Sequence, residues 1–393
     1  MPVKKVIIEK ANRLYQLPLD LESYVSPRRE HTLIKRTELI DLARFKWPVS
    51  ISDHEPFEAT SLGPASVAEL SELKEAIADW YGSVHGVRLN PRSEIILTGG
   101  SSRTVMDLGQ AFIDYGDVAF VPDLGWPVYR AAVVAAGGET VGYSVSPKNN
   151  WHPDFARLST RLGRVARLLF VNSPHNPTGA ELNEREMANL VWLAGRENIF
   201  VINDAAYQNY AERKSVSLLS VVGGRKVGAE MASMAFFFGL PPMPLGFVAG
   251  SKEIIAGLEH VQRYQRPFFA SAWVQMALSA IRKYPSEGLS QVRKDGTLAA
   301  AEASKLLDKL NLERQDSDTT PFIWARIEKR TPSARATRVL FRQAKILVLP
   351  GIAFGENGEG FLRLSLTAGA SAYEAAVESI VRKKRIIRLG DST

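Results

Sequence analysis

From residue 94 to residue 204 the chain alternates short apolar runs with stretches of helical periodicity. EIILTGG (94–100) reads as a strand and glycine turn, with a helix through SRTVMDLGQAFIDY behind it. DVAFVPD (117–123) is a second strand, the segment around VYRAAVVAAGG a helix, and ETVGYSV (139–145) and ARLLFVN (166–172) further strands. A helix through ELNEREMANLVWLAGREN, polar over Asn183-Glu184-Arg185-Glu186 at its start, leads to the strand NIFVIND (198–204). Near-continuous apolar strands are expected of a parallel sheet buried on both faces, and the intervening helices supply the cover. The pattern predicts an α/β fold.

Beyond about residue 284 the pattern changes. A long helix, GLSQVRKDGTLAAAEASKLLDKLN, leads to FIWARIE, AKILVLPG and GFLRLSLTA, which read as a smaller α+β layer. The opening residues are irregular and interrupted by proline. The expected division is an N-terminal segment over 1–50 packing on the small domain, a large α/β domain over 51–283, and a small C-terminal α+β domain over 284–393.

Composition narrows the class. The 393 residues are 45% hydrophobic and 23% charged, an ordinary globular balance. No apolar run is long enough for a membrane span, and no secretory signal is read at the N-terminus. The chain has no cysteine, which excludes disulfides, thiolate chemistry and zinc–thiolate sites. A cytoplasmic protein with no metal is the simplest expectation. The net charge of +7 is concentrated in VRKKRIIRLGDST (381–393), which reads as the solvated face of a final helix rather than a nucleic-acid site.

The most specific stretch is VNSPHNPTGAELNE (171–184), where a buried strand ends in Asn and two prolines frame His175 and Asn176. NDAAY (203–207) closes the next strand. Ligands in open α/β sheets bind beyond the C-terminal ends of strands, so Asn176, Asp204 and Tyr207 belong at one crevice. N-P-T-G followed by D-x-x-Y resembles the class I/II aminotransferases of the fold-type I pyridoxal-phosphate (PLP) enzymes, over residues 50 to 380. The resemblance implies a large domain with a mostly parallel seven-stranded sheet, a smaller α+β domain, and a homodimer. It implies that Asp204 pairs with the pyridinium nitrogen, that Asn176 and Tyr207 bond the ring's 3-oxygen, and that Trp126 in DLGWPVY stacks on the ring. Ser101 and Ser102 of GGSS match the turn that meets the cofactor phosphate. Arg363 in GFLRLSL matches the arginine for the substrate carboxylate, and VLPGIAFG (348–355) also fits.

The stretch ASMAFFFGLPPMPLGFVAG (232–250) departs from that family. Ser233-Met234-Ala235 matches the lead-in to the family's Schiff-base lysine and Leu245-Gly246-Phe247 matches the exit. Phe236 then falls on the lysine and Pro244 on the phosphate-binding arginine. Phenylalanine can neither hold an aldehyde nor move a proton, and proline carries no charge. No tyrosine occurs between Glu55 and Trp80, where the family usually has one that reaches the neighbouring subunit's phosphate. His54 aligns with a family glycine near the substrate carboxylate and is the acid–base candidate.

The expected protein is therefore a divergent enzyme of amino-acid or secondary metabolism that binds an amino-acid-like carboxylate without ordinary Schiff-base transamination. Two alternatives stay open. One is a non-catalytic subunit or metabolite-binding regulator. The other is an enzyme holding PLP non-covalently or through another lysine, Lys226 and Lys252 being nearest in sequence. No nucleic acid or membrane partner is expected.

Overall fold

The computed structural model describes residues 10–25, 39–47, 63–155, 158, 165–316, 318–327 and 331–382. Its strands in chain order are β1 (Ile40–Asp41), β2 (Ile95–Thr98), β3 (Val118–Pro122), β4 (Glu139–Val145), β5 (Pro153–Asp154), β6 (Ala166–Asn172) and β7 (Phe200–Asp204). There follow β8 (Gly228–Ser233), β9 (Gly246–Gly250), β10 (Leu312–Arg314), β11 (Phe322–Ile327), β12 (Ile346–Leu347), β13 (Leu349–Pro350) and β14 (Phe361–Ser365).

The large sheet has eight strands in the order β2-β9-β8-β7-β6-β3-β4-β5. The five strands from β8 to β4 pair in parallel, and β9 runs antiparallel between β8 and β2. These seven are the expected mostly parallel sheet. The eighth, β5, is a two-residue edge strand antiparallel to β4, too short to leave an alternation in the sequence.

Alternation along the strands decides which helices cover which face. Leu168 and Phe170 of β6 join Ala119 and Val121 of β3 in a core under the helices Ser101–Phe112, Val128–Ala136 and Lys252–Gln265. Leu169 and Val171, with Val118 and Phe120, face the helix Glu184–Glu197 through Met187 and Leu190. That helix starts where its sequence says: the Asn183 side chain accepts from the Glu186 amide and the Glu186 carboxylate accepts from the Asn183 amide. At the β2–β9 edge, Leu97, Phe247 and Ala249 pack with Leu73, Ile77 and Trp80 of the helix Val67–His85.

The second sheet, in the order β10-β11-β14-β13, is antiparallel and packs on the long helix Glu287–Leu310 through Leu306, Leu307, Ile323 and Leu364. β1 pairs in parallel with β12, and the Ser365 amide at the end of β14 donates to the Leu42 carbonyl at 2.7 Å. The chain near residue 43 is thus fixed beside Arg363 of β14.

The two sheets meet where the loop after β3 touches the turn after β13. The Gly125 amide donates to the Phe354 carbonyl at 2.8 Å, and Asn357 Nδ2 donates to the Asp123 carboxylate at 2.7 Å. Gly355 sits at φ 133°, and a Cβ there would stand 2.0 Å from the Asp123 carbonyl oxygen. Gly355→Ala is expected to cost roughly 1–3 kcal/mol in a denaturant titration, through strain and a broken junction. Gly360→Ala, also at positive φ but facing open space, should lose only about 1 kcal/mol. Equal losses would show that the junction adds nothing to the strain of the left-handed backbone.

Candidate active site

The C-terminal ends of β2, β6, β7 and β8 converge on one crevice, with the loop after β3 beside them. Asp204 closes β7 and is 4% exposed. One carboxylate oxygen accepts from Tyr129 Oη at 2.7 Å and the other from the Ala206 amide at 3.2 Å. Burial raises its pKa to about 6, and the Tyr129 hydrogen bond holds it from rising further. Tyr129 stacks on Phe170 at 5.4 Å and meets Trp126 edge-on at 5.6 Å, so one aromatic group fixes the carboxylate.

The prolines of the 171–184 stretch shape the loop beside Asp204; the peptide bonds before Pro174 and Pro177 are cis. Asn172 Nδ2 donates to the Asp204 carbonyl and its Oδ1 accepts from the Asn176 amide, both at 2.7 Å. On the neighbouring position of β7, Asn203 faces the other way. Its Nδ2 donates to buried Glu230 at 3.0 Å and its Oδ1 accepts from the Ser173 amide at 3.2 Å. His175 is structural: a carbonyl can only accept, so Nε2 donates to Leu124 O and Nδ1 accepts from Thr178 Oγ1. Burial lowers its pKa to about 4 and keeps it neutral.

Arg363 lies 4% exposed on β14. Its Nη1 donates to Asn176 Oδ1 and its Nη2 to Ala43 O, both at 3.0 Å. Its guanidinium carbon lies 4.0 Å from the Phe322 ring centroid and 5.0 Å from that of Phe354. Nε has no hydrogen-bond partner, and no carboxylate of the described residues pairs with it. Burial lowers its pKa to about 10, an effect that proximity to Tyr207 opposes.

From Arg363 a run of aromatic contacts leads outward. Tyr207 meets Phe322 at 5.4 Å and Phe236 at 5.7 Å, and Phe236 meets Phe45 at 4.7 Å and Trp47 at 4.8 Å. Beyond Phe236 opens a solvent-facing cavity of about 400 Å³ lined by Trp47, Ser101, Ser102, Trp126, Ser233, Phe236 and Pro244, with Ala235, two glycines, Pro242 and Met243 completing it among the described residues. None of the described residues that line it is charged. The helix Ser101–Phe112 points its N-terminus here, and the Ser101 hydroxyl is buried without a partner. His54 lies outside the described residues. Phe45, Trp47 and Tyr129 were not singled out from the sequence. Phe45 and Trp47 show strand-like i, i+2 spacing, and Tyr129 stands three residues after Trp126 at the start of a helix.

Comparison with known proteins agrees with this geometry. The family described as Aminotransferase class I and II matches residues 65–380, and the chain belongs to it. The LL-diaminopimelate aminotransferase of Aquifex aeolicus is 30% identical over 315 residues, covering 80% of this chain and 81% of that protein. That of Moorella thermoacetica is 29% identical over 315 residues, 80% of each. The substrate-bound structure of BacF from Bacillus subtilis superposes with a TM-score of 0.86 at 23% identity, covering 98% of this chain and all of that one, a likeness of fold.

The family is PLP-dependent. Tested against that cofactor, the residues here divide. Asp204 offers an anion to a ring nitrogen and Trp126 a flat wall. Among the described residues, the cavity beside Ser101 offers a phosphate dianion no cation and no lysine. Lys226 precedes β8 and Lys252 follows β9; since Ala229 pairs with Gly250 and Ser233 with Gly246, both lie at the end of the sheet away from Ser233. The described residues therefore do not fit covalently held PLP.

Asp204 carries a pH signature. Its folded pKa, about 6, lies above the ordinary value of 3.8. The folded state holds the extra proton between those values, so its contribution to stability falls as pH rises through that window. Asp204→Asn is expected to remove this slope from unfolding free energies measured by denaturant between pH 4 and 7; wild-type and variant curves that stay parallel would contradict the assignment.

Proposed function

We propose that this chain is an aminotransferase-fold protein of amino-acid metabolism that binds an amino-acid-like ligand and has abandoned Schiff-base transamination. The observation that carries it is the surroundings of Phe236. A benzyl group stands on the crevice side of Ser233, where the family's sequence pattern places the lysine, and is held against Phe45, Trp47 and Tyr207. Among the described residues, no side-chain amine replaces it in the cavity lining.

What remains suits an amino acid. Arg363 has only neutral partners, Asn176 Oδ1 and Ala43 O, in a dry, aromatic setting; a ligand carboxylate that displaced one of them would be bound more strongly than in water. Asp204 stands ready for a cationic or protonated group. Asn172 and Asn176 hold the two charges in one frame without joining them as an ion pair. The names of the relatives, LL-diaminopimelate aminotransferases, support a role in amino-acid biosynthesis. A homodimer, the usual assembly of this fold, accords with that reading.

Two measurements test the proposal. After incubation with PLP and reduction with borohydride, the wild-type mass is expected to be unchanged, whereas Phe236→Lys combined with Pro244→Arg gains one pyridoxyl group. A reduced adduct on any wild-type lysine, accompanied by turnover, would defeat the reading. In calorimetry against a panel of amino and 2-oxo acids, Arg363→Ala is expected to weaken the best ligand by about 10- to 100-fold, the scale of hydrogen bonds to a charged group. An unchanged affinity would remove Arg363 from the ligand site.

A further inference from the structure

We propose that the cavity between Trp47, Trp126 and Phe236 selects an uncharged planar ring and discriminates against its phosphate ester, the reverse of what the family's cofactor demands. This deepens the proposed function and rests on the same loss of cations at Phe236 and Pro244.

The lining decides the charge of the occupant. Trp47, Trp126 and Phe236 present three aromatic side chains, and Met243 and two prolines fill much of the remaining wall. Aromatic faces carry partial negative charge and repel an anion. Among the described lining residues the polar side chains are Ser233 and, where the helix Ser101–Phe112 begins, Ser101 and Ser102. The partial positive charge of a helix N-terminus is worth about 0.3–1 kcal/mol to an exposed anion and up to about 2 in partly buried geometry. The pocket is open to solvent, so a dianion set against the three rings loses only part of its water, but it meets no charged partner among the described lining residues to offset that loss. The dianion is therefore opposed on balance. The same N-terminus opposes a cation, which the aromatic faces alone would favour. A neutral ring escapes both penalties, can stack on the indoles, and can turn one polar substituent toward exposed Ser102 at the start of the helix. The volume of about 400 Å³ suits one such ring.

Pyridoxine and pyridoxine 5′-phosphate are suitable probes, because they share a ring, differ by the phosphate, and have no aldehyde to form an imine. Trp47 and Trp126 should report binding by fluorescence, with calorimetry as the check. The wild-type protein is expected to bind pyridoxine about tenfold or more tightly than its phosphate ester. Pro244→Arg, which sets a guanidinium at the cavity edge, should reverse that order. If that variant does not fold, Ser102→Arg at the exposed first turn of the helix serves the same purpose. A phosphate ester bound as tightly as pyridoxine by the wild type would overturn the proposal, as would no binding of either probe or an unchanged preference in a folded variant. Pyridoxine binding and binding of the amino- and 2-oxo-acid panel are read in separate titrations of the wild type, so failure of this inference and failure of the amino-acid reading give different results.

Discussion

A guanidinium enclosed without a carboxylate partner among the described residues is the constraint around which this molecule is arranged. An unpaired buried charge costs several kcal/mol, so whatever surrounds Arg363 must offset much of that. Its partners come from distant parts of the sequence: the Ala43 carbonyl, the Asn176 side chain, and the rings of Phe322 and Phe354. The charge therefore links the early segment, the proline-framed loop and the second sheet. The contacts between Gly125 and Phe354 and between Asp123 and Asn357 join the two sheets beside it.

Asp204 is the counterpart on the large sheet. It too is buried, and its hydrogen-bond partners are a phenol and an amide rather than a cation. Side by side, the two groups would neutralise each other. Instead Asn172 and Asn176 stand between them, each tied to the backbone or side chain of its neighbour. On the proposed reading this separation leaves one pole for a carboxylate and one for a protonated group. The aromatic run from Phe322 through Tyr207 and Phe236 to Trp47 lies beside them, and it strengthens electrostatics by keeping water out.

Much of the fold was legible because buried parallel strands and amphipathic helices write their periods directly into the chain. β6, β7 and the helix Glu184–Glu197, with its Asn183–Glu186 cap, lie where those patterns place them. The edge strand β5 was not legible, since two residues carry no period. The residues read as one crevice, Asn176, Asp204 and Tyr207, follow from strand ends alone. Tyr129 was harder: nothing local says that its hydroxyl will reach a carboxylate 75 positions away. Phe45 and Trp47 were harder still, because their role depends on β1 pairing with β12 and carrying the chain past Arg363.

By itself the sequence determined the α/β architecture, the family, and the absence of amine and guanidinium at Phe236 and Pro244, because periodicity and side-chain identity are local properties. Only the tertiary structure decided that Arg363 is buried beside Asn176, that Asp204 is held by Tyr129, and that Phe236 is enclosed by rings from an early segment. Those are matters of dielectric and distance, which arise when remote parts of the chain exclude water together.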